Sequence, residues 1–325
     1  MGAPTNTPVG APAHGRSGAS ARVSVGGVPR SEWRKGSLAR RQAIWAYIFA
    51  APATLHIAIW TGVPIVVALL LSLTDHDMLN PPQWIGLDNY ATLAADPLFW
   101  RAMGNNLILA VVGVPVSMLI ALVLAVMLNQ GLRGSGVFRT AVFLPHVTAT
   151  VAIAMIWLWI YSPGENGLFN MVGSFIGVPN QPFLVSASQS LPSILLVTIW
   201  QGLGLKMMIY LASLQGIDQQ LYEAAAIDGA STVQKFTRIT VPMLKPTTFF
   251  ILVTSIVGNF QTFDLVYILT AGGPANSSTV ITYEIYQTAF QEFRMGLASA
   301  QSMVLLLVLV ILTILSRKVT GGRDD

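Results

Sequence analysis

The sequence predicts an all-α integral membrane protein with six transmembrane helices and a short cytoplasmic helical hairpin between spans four and five. Three observations support this class. Hydrophobic residues make up 53% of the 325-residue chain and charged residues 10%, with a mean hydropathy of +0.62. A soluble domain typically carries about 25% charged residues. Apolar runs of at least ~20 residues, the length of a transmembrane helix, occur repeatedly, and the two central runs are separated by an Ala-rich segment.

The apolar runs define the spans in chain order. We place them at 43–71, 106–129, 138–161, 190–213, 246–270 and 297–316. The first run is the longest and contains Pro52 and Pro64, so we expect it to tilt or kink. The predicted transmembrane domain therefore covers 42–316, between tails at 1–41 and 317–325.

The N-terminal tail is rich in Ala, Gly, Pro, Ser and Arg and has hardly any large apolar residues. Such a composition cannot bury a core, so we expect 1–41 to be disordered. No apolar segment follows a short basic start, which argues against a signal peptide.

Basic residues indicate the orientation of the chain, because cytoplasmic loops carry an excess of Lys and Arg. On the six-span map almost all of them fall on one side, and only Arg101 and Arg294 fall on the other. We therefore expect a multi-pass protein of the cell membrane, embedded in lipid, with both termini cytoplasmic. The net charge of +4 comes from residues that flank apolar runs, so it does not predict nucleic-acid binding.

Several functional classes are disfavoured. The chain has no Cys, which excludes disulfides, thiolate metal sites and cysteine nucleophiles. The spans contain no acid/base pair, metal-ligand set or nucleophile arrangement, so we predict no catalytic residue and no metal site. The stretch 202–206 (GLGLK) lacks the G-x-x-x-x-G-K-[ST] spacing of a phosphate-binding loop. If ATP drives this protein, another chain must hydrolyse it, and we expect no cofactor in this chain.

The segment between spans four and five predicts two short helices. Asp218 is a good N-cap, the Ala-rich stretch 221–230 favours helix, and Gly229 supplies a left-handed C-terminal residue. Ser231 and Gln234 then have the spacing of a capping box. We expect the second helix to end near Ile239, before Pro242 and Pro246.

Such a hairpin has two explanations on physical grounds. It could be an interfacial amphipathic loop, with Lys235, Arg238 and Lys245 on lipid phosphates. Alternatively, it could be a docking element for a partner protein. The residues alone leave both open.

A family resemblance favours docking. Glu223-Ala224-Ala225, then Gly229 after a three-residue gap, then Ile239-x-x-Pro242, resembles the EAA loop of permease subunits of binding-protein-dependent ABC importers. In that family the loop, here 214–245, is the coupling helix that seats in a groove of a separate ATPase subunit. The resemblance implies that Glu223 anchors the loop and that Asp228 and Gly229 shape its turn. The full set of implied ATPase-coupling residues is Tyr222, Glu223, Ala224, Ala225, Asp228, Gly229 and Ala230.

Further segments are similar to carbohydrate permeases of the maltose and glycerol-3-phosphate type. They are 86–90 (GLDNY), 96–100 (DPLFW), 138–145 (FRTAVFLP) and 272–274 (GGP). The resemblance implies a second homologous permease subunit, two ATP-binding subunits that carry ATP and Mg²⁺, and an extracellular solute-binding protein. We also expect the aromatic residues of the first outer loop to pack it onto the bundle.

Polar residues within spans four and five predict the solute pathway, since they are costly in lipid unless they face a cavity or another helix. In maltose-type permeases the transported sugar contacts the positions that fall here on Gly202, Ser255 and Asn259. Thr262 stands at a further polar contact, whereas Leu205 replaces an aromatic one, which argues against maltose itself. We expect aromatic rims at Trp200 and Phe260. The predicted pathway set is Trp200, Gly202, Lys206, Ser255, Asn259, Thr262 and Asp264.

Two of these residues are charged. A lysine in a span ordinarily snorkels to the nearer interface, and we expect this for Lys206. A sharper alternative is that Lys206 faces the pathway and favours an anionic solute. Rise along the helices places Lys206 toward the inside and Asp264 toward the outside, about 15 Å apart. His56 and His146 are expected to be packing residues.

We conclude from the sequence that the chain is a permease subunit of a carbohydrate ABC importer. An ion-coupled secondary transporter is the alternative; it would need intramembrane carboxylates or histidines, and the chain offers Asp264, His56 and His146 at scattered depths. An intramembrane enzyme lacks a constellation of reactive groups. The sequence does not identify the solute.

Overall fold

The computed structural model describes residues 35–131 and 134–320, with side chains for 40–131 and 134–316. Two units divide at Thr61/Gly62. The first contains helix α1 (Lys35–Ile57). The second contains helix α2 (Val63–Leu71) and every later element, including a two-stranded antiparallel sheet of β1 (Thr74–Asp75) and β2 (Gln83–Trp84), with Thr74 opposite Trp84.

The remaining α-helices follow in chain order. They are α3 (Asp88–Ala95), α4 (Pro97–Ile108), α5 (Val114–Asn129), α6 (Ser135–Val147), α7 (Thr150–Ile160), α8 (Leu168–Phe175), α9 (Ser190–Gln215), α10 (Gln219–Ile227), α11 (Thr232–Lys235), α12 (Val241–Met243), α13 (Lys245–Phe260), α14 (Asp264–Leu269), α15 (Ile281–Tyr286) and α16 (Met295–Thr320). Single π-helical turns lie at Ala58–Gly62, Leu109–Gly113, Phe236–Thr240 and Gln287–Gln291, and 3₁₀ turns at Gly164–Asn166 and Phe183–Val185.

Four helical stretches of the described chain are long and apolar enough to cross a membrane by themselves: Arg40–Leu71, Pro97–Asn129, Ser190–Gln215 and Met295–Ser316. Two further pairs of helices satisfy the same criteria together but are bent, α6 with α7 by 101° and Thr232–Met243 with α13 by 61°. The count reaches six when each bent pair is taken as one span. The predicted all-α membrane class is confirmed.

The predicted ends of several spans are wrong. Helix α1 begins at Lys35, so residues 35–41 of the expected tail are helical, and residues 1–34 lie outside the described chain. The second span begins at Pro97 instead of 106, because the Asp96 carboxylate caps the helix by accepting a 2.8 Å hydrogen bond from the Leu98 amide. The last candidate span, Met295–Ser316, ends where expected, and helix α16 itself continues to Thr320; residues 321–325 are outside the described chain.

Two predicted spans are interrupted. The third breaks between α6 and α7, where Thr148 has the extended ψ angle of 141° that ends α6. The fifth ends as a regular helix at Phe260, and residues 261–263 separate α13 from the short α14. Both were placed within single apolar runs, although polar residues accompany each break, at His146 and Thr148 and at Gln261, Thr262 and Asp264.

The first outer loop is held by polar groups more than by aromatic ones. The Asn89 side-chain amide donates to the carbonyl oxygens of Ser72 and Thr74, each at 2.9 Å. Hydroxyls of Tyr90 and Ser72 lie 2.7 Å apart. Of the aromatic residues expected to pack, Phe99 is buried, but Trp84 and Trp100 are exposed. The expectation is therefore wrong for both tryptophans.

Helix α9 packs along α5 and α6 and contributes to the core over its whole length. Its buried Ile194 and Val197 belong to one apolar cluster, and Met207 and Tyr210 belong to a second. Gly204 lies on α9 between the residues of these two clusters, at a point of close contact with α6. A Cβ atom at this position would lie 2.5 Å from the Val142 carbonyl oxygen. This close approach supports the packing role that small residues have between membrane helices.

Gly204→Ala should therefore destabilise the protein, although Gly→Ala within a helix normally stabilises by about 0.5–1 kcal/mol. We expect a loss of about 1–3 kcal/mol, since the added methyl meets backbone atoms that cannot rotate away. Gly104→Ala is the matched control, because a Cβ there meets nothing within 4 Å. Thermal unfolding in nanodiscs should show opposite shifts for the two variants. Equal shifts would contradict the packing assignment.

Candidate functional site

A cavity of about 410 Å³ lies where α9 faces the interrupted spans. It is lined by residues from the α6–α7 break, from α9, and from α13 and α14. Six of the seven predicted pathway residues line it together: Gly202, Lys206, Ser255, Asn259, Thr262 and Asp264. Residues from distant parts of the sequence thus meet in one polar chamber.

The two aromatic residues that were expected to rim the cavity, Trp200 and Phe260, do not line it. Trp200 packs edge-on against Trp157, with ring centroids 5.5 Å apart, and does not line the cavity. It precedes Gly202 by two residues, which places it about 200° around the helix. Phe260 is buried in an apolar cluster with Phe99. The aromatic residue that lines the cavity is Phe263, in the break after α13.

The α6–α7 break contributes residues that sequence reasoning did not place in the site. His146, expected to be a packing residue, is exposed and lines the cavity with Thr150. The Gln201 side-chain amide donates to the Thr150 hydroxyl at 3.2 Å and joins α9 to this break. Pro145 was the available signal, because proline-interrupted membrane helices commonly form binding sites.

The break in span five is possible because its freed carbonyl groups have partners. The Asn106 side-chain amide donates to the Asn259 carbonyl oxygen at 3.1 Å, and the Thr282 hydroxyl donates to that of Thr262 at 2.7 Å. The Asn106 side-chain oxygen also accepts from the Ile281 amide at 2.7 Å. Non-helical backbone within a membrane is tolerated only where it is buried in protein or lines a cavity.

Asn106→Leu should destabilise the protein by about 1–3 kcal/mol, because it leaves the buried Ile281 amide without its partner. The Asn259 carbonyl oxygen keeps its 3.3 Å hydrogen bond from the Thr262 amide. Asn106 has 0% exposure. Asn166→Leu, the same change at an exposed position, is the control and should have little effect. The midpoint of thermal unfolding in nanodiscs measures both. A small shift for Asn106→Leu would show that Asn106 does not support the break.

The Asn259 side chain has an unsatisfied acceptor. Its side-chain amide donates to the Ser255 carbonyl oxygen at 2.9 Å. Its side-chain oxygen is buried and has no hydrogen-bond partner among the described residues. A buried unpaired acceptor is costly. This oxygen has less than 1 Å² of accessible surface and lies 3.8 Å from the position that a Cβ would take on Gly113, so a ligand in the cavity does not reach it in this structure.

Lys206 does not snorkel. Its Nζ atom lies 2.9 Å from the position that a Cβ would take on Gly202, one turn nearer the N-terminal end of α9. The side chain thus extends within the cavity, away from the end of α9 that leads to the hairpin. Asp264 lines the same cavity, so the two charged residues share one chamber despite their predicted difference in depth.

The hairpin has the predicted caps. Asp218 accepts from the Gln220 amide at 2.9 Å, and Ser231 and Gln234 form a reciprocal capping box. Gly229 has a φ angle of +75°. The second helix was expected to end near Ile239, which is wrong: a π-helical turn and α12 continue it to Met243. Pro242 lies in the first turn of α12, where the missing N–H is tolerated.

The residues that the family resemblance implies for ATPase coupling differ in their exposure. The Tyr222 hydroxyl lies 2.8 Å from that of Thr240 and ties the two hairpin helices together. Glu223, Ala224 and Asp228 are exposed. The apolar side chains of Leu221 and Ile227 on α10 and of Val233 on α11 are exposed as well. Ala225, Asp228, Gly229 and Ala230 line a shallow pocket that also contains Lys235 and Arg238.

The chain thus has a polar cavity at two interrupted spans and a capped hairpin between spans four and five. Its sequence also matches a known protein family over most of the helical bundle. Residues 113–320 match the family described as binding-protein-dependent transport system inner membrane component. The chain belongs to this family. The resemblance drawn from the EAA segment is thereby confirmed.

Relatives of this inner membrane component are similar over nearly their whole length. This chain is 37% identical over 288 residues to the lactose transport system permease protein LacF of Rhizobium radiobacter, and the match covers 86% of this chain and 95% of the relative. It is 30% identical over 272 residues to the sn-glycerol-3-phosphate transport system permease protein UgpA of Agrobacterium fabrum, covering 83% and 92%.

A solved structure has the same fold as this inner membrane component. A chain of a bacterial alginate ABC transporter, crystallised with its alginate pentasaccharide-bound periplasmic protein, superimposes with a TM-score of 0.76. The two chains are 26% identical, and the match covers 87% of this chain and 96% of the other. The protein is therefore a multi-pass membrane component of a binding-protein-dependent ABC transport system.

Proposed function

We propose that the chain is a permease subunit of an ATP-driven ABC importer and forms, with a second homologous permease, the pathway for a sugar or sugar-like solute. The observation that carries this is the polar cavity at the two broken spans, joined through α9 to an exposed helical hairpin. A cavity of this size is within the usual range for small-molecule sites. Family membership supports a transport role over an enzymatic one.

The proposed partners are those of a binding-protein-dependent ABC system, and family membership supports them. Two separate ATP-binding subunits hold ATP and Mg²⁺, and an extracellular protein delivers the solute. Both termini and the hairpin are cytoplasmic in this arrangement, as the distribution of Lys and Arg predicts. Residues 42–316, which include the hairpin at 214–245, form the membrane domain. Helices α1 and α16 extend beyond the two ends of this range.

The hairpin transmits the movement of the ATP-binding subunits. ATP-driven closure of those subunits pushes on α10, and the bundle switches from an inward-facing to an outward-facing state. Such rigid-body switching requires a bistable assembly that ATP and the loaded binding protein bias in one direction. Glu223 anchors the hairpin to the ATPase, Asp228 and Gly229 fix its turn, and Tyr222 holds its helices together.

The solute class is an oligosaccharide, a polyol or a glycerol phosphate. Relatives are named for lactose, arabinooligosaccharides and sn-glycerol 3-phosphate, which are all polyhydroxylated. The neutral amide and hydroxyl side chains that line the cavity, such as Gln201, Ser255 and Thr262, support this class, because sugar hydroxyls can both donate and accept hydrogen bonds. Phe263 provides an apolar ring beside the polar groups.

An ion-coupled secondary transporter is the second candidate, since His146, Lys206 and Asp264 line one cavity and are titratable. Uptake of radiolabelled lactose and glycerol 3-phosphate by cells that express the tagged chain with its partner subunits distinguishes the two candidates. The importer predicts inhibition by ATP depletion, resistance to a protonophore at constant ATP, and an ATPase that co-purifies with the chain. Uptake that fails with the protonophore alone would favour the secondary transporter.

A further inference from the structure

The Lys206 side chain leans back over Gly202, the usual direction for a long side chain on a helix, and this places its amine in the cavity. A lysine in a membrane helix normally directs its amine to the interface. Here the amine extends back toward Gly202, and any side chain at position 202 would meet it, because a Cβ there lies 2.9 Å from Nζ. Gly202 and Lys206 together therefore place a positive charge inside the cavity.

This charge has no counter-ion among the described side chains, which cover 40–131 and 134–316. No carboxylate oxygen there lies within the 4.0 Å of Nζ that defines a salt bridge. The other titratable residues lining the cavity are His146 at the end of α6 and Asp264 at the start of α14. Apolar Leu205, Ile209 and Ile251 also line it. A partly buried charge in such surroundings is costly unless an anion pairs with it.

Neutral polar groups complete the cavity. Gln201, Thr262 and Ser255 line the same space as Lys206 and carry amide or hydroxyl groups. These groups suit the hydroxyls of a polyol, whereas the lysine amine suits a single anionic group. The cavity thus combines one cationic site with several hydroxyl-binding sites.

We propose that the cavity takes a polyhydroxylated solute that carries a carboxylate or a phosphate ester, and that the Lys206 amine binds this anionic group. The inference rests on the proposed import function and names its substrate class. Lys206 is then the residue that distinguishes acidic from neutral solutes at the membrane step. Gly202 is the positioning residue that leaves room for the amine.

Equilibrium binding to the permease complex in nanodiscs, purified without its extracellular binding protein, tests this. The acidic probes are digalacturonate and glycerol 3-phosphate, and the neutral ones are lactose and glycerol. Wild type should bind at least one acidic probe more tightly than its neutral counterpart, and the preferred probe identifies a carboxylate or a phosphate. Lys206→Gln should weaken binding of that probe about 10- to 100-fold, as expected for the loss of a charged hydrogen bond, and leave neutral probes unchanged.

Three further variants separate charge from structure. Lys206→Arg should retain the preference, because it keeps the charge. Gly202→Ala should reduce it, because the added methyl displaces the amine. Arg41→Gln removes one positive charge at an exposed position of α1 and should leave binding unchanged.

The inference is overturned if wild type binds neither acidic probe, if Lys206→Gln changes neither, or if it weakens acidic and neutral probes equally. Failure of the import function itself is distinguishable, since it appears as a missing ATPase in the purified complex. ATP-driven uptake of lactose that persists in a complex without acid preference would remove only the present inference.

Discussion

Gly229→Val should reduce ATP-driven uptake about tenfold or more while the protein still folds in the membrane. Gly229 ends α10 in a left-handed conformation, with φ of +75°. Two hydrogen bonds close this turn, from the Gly229 amide to the Ala226 carbonyl at 3.1 Å and from the Ala230 amide to that of Ala225 at 2.9 Å. A β-branched residue in this conformation costs about 1–3 kcal/mol, so the turn would open and the second helix would change direction.

The position allows a clean series of controls. A Cβ at Gly229 meets nothing within 4 Å, so a substitution acts through the backbone angle and not through a clash. Asn tolerates the left-handed region better than Ala, and Ala better than Val. Uptake and solute-stimulated ATP hydrolysis should therefore fall in the order Asn, Ala, Val. Full stimulation of ATP hydrolysis in Gly229→Val would contradict the role of the turn in coupling.

Glu223→Ala should produce a loss of similar size without a change in stability. Glu223 is exposed on α10, which also exposes the apolar side chains of Leu221 and Ile227, and exposed apolar residues with a charged anchor are typical of a protein interface. Removing a charged hydrogen bond at an interface costs about 1.5–3 kcal/mol, which corresponds to about 10- to 100-fold in binding of the ATPase. Exposed substitutions usually change folding stability by no more than about 0.5 kcal/mol.

Two variants define the contact further. Gln220→Ala removes another exposed polar side chain of the same helix and should leave coupling intact. Glu223→Gln retains a hydrogen-bonding group but not the charge, so its residual uptake separates an ionic contact from a neutral one. Retention of the ATPase during purification, together with uptake, measures all three variants. Wild-type behaviour of Glu223→Ala would mean that the anchor lies elsewhere.

Local signals in the sequence were sufficient for the hairpin and for the number of apolar runs. The hairpin caps involve only residues within one helical turn of each other, so they could be predicted without tertiary structure. They are formed by Asp218, Gly229, and Ser231 with Gln234. The apolar runs were found because membrane helices require a minimum length. The second helix of the hairpin was predicted too short because Pro242 was taken as a stop signal, whereas the preceding π-helical turn accommodates it.

Long-range contacts determine what the sequence did not predict. The break after Phe260 depends on Asn106 and Thr282, which are more than a hundred and about twenty residues away, respectively, and neither interrupts the apolar pattern of span five. Trp200 was assigned to the cavity by its neighbourhood in sequence, but the helical period turns it toward Trp157. His146 entered the cavity because α6 ends just after it, and only the structure shows that the chain bends there.

The most direct test of this account is a cross-link from the tip of the hairpin. The chain contains no natural Cys, so Ile227→Cys introduces a unique thiol at a position that is 87% exposed. Leu79→Cys, at 86% exposure in the first outer loop, is the matched control. Both are labelled with a maleimide benzophenone in the purified assembly and irradiated. The account predicts an adduct between position 227 and an ATP-binding protein and none from position 79. Absence of that adduct, with solute still accumulated by the chain alone and without nucleotide hydrolysis, would contradict it.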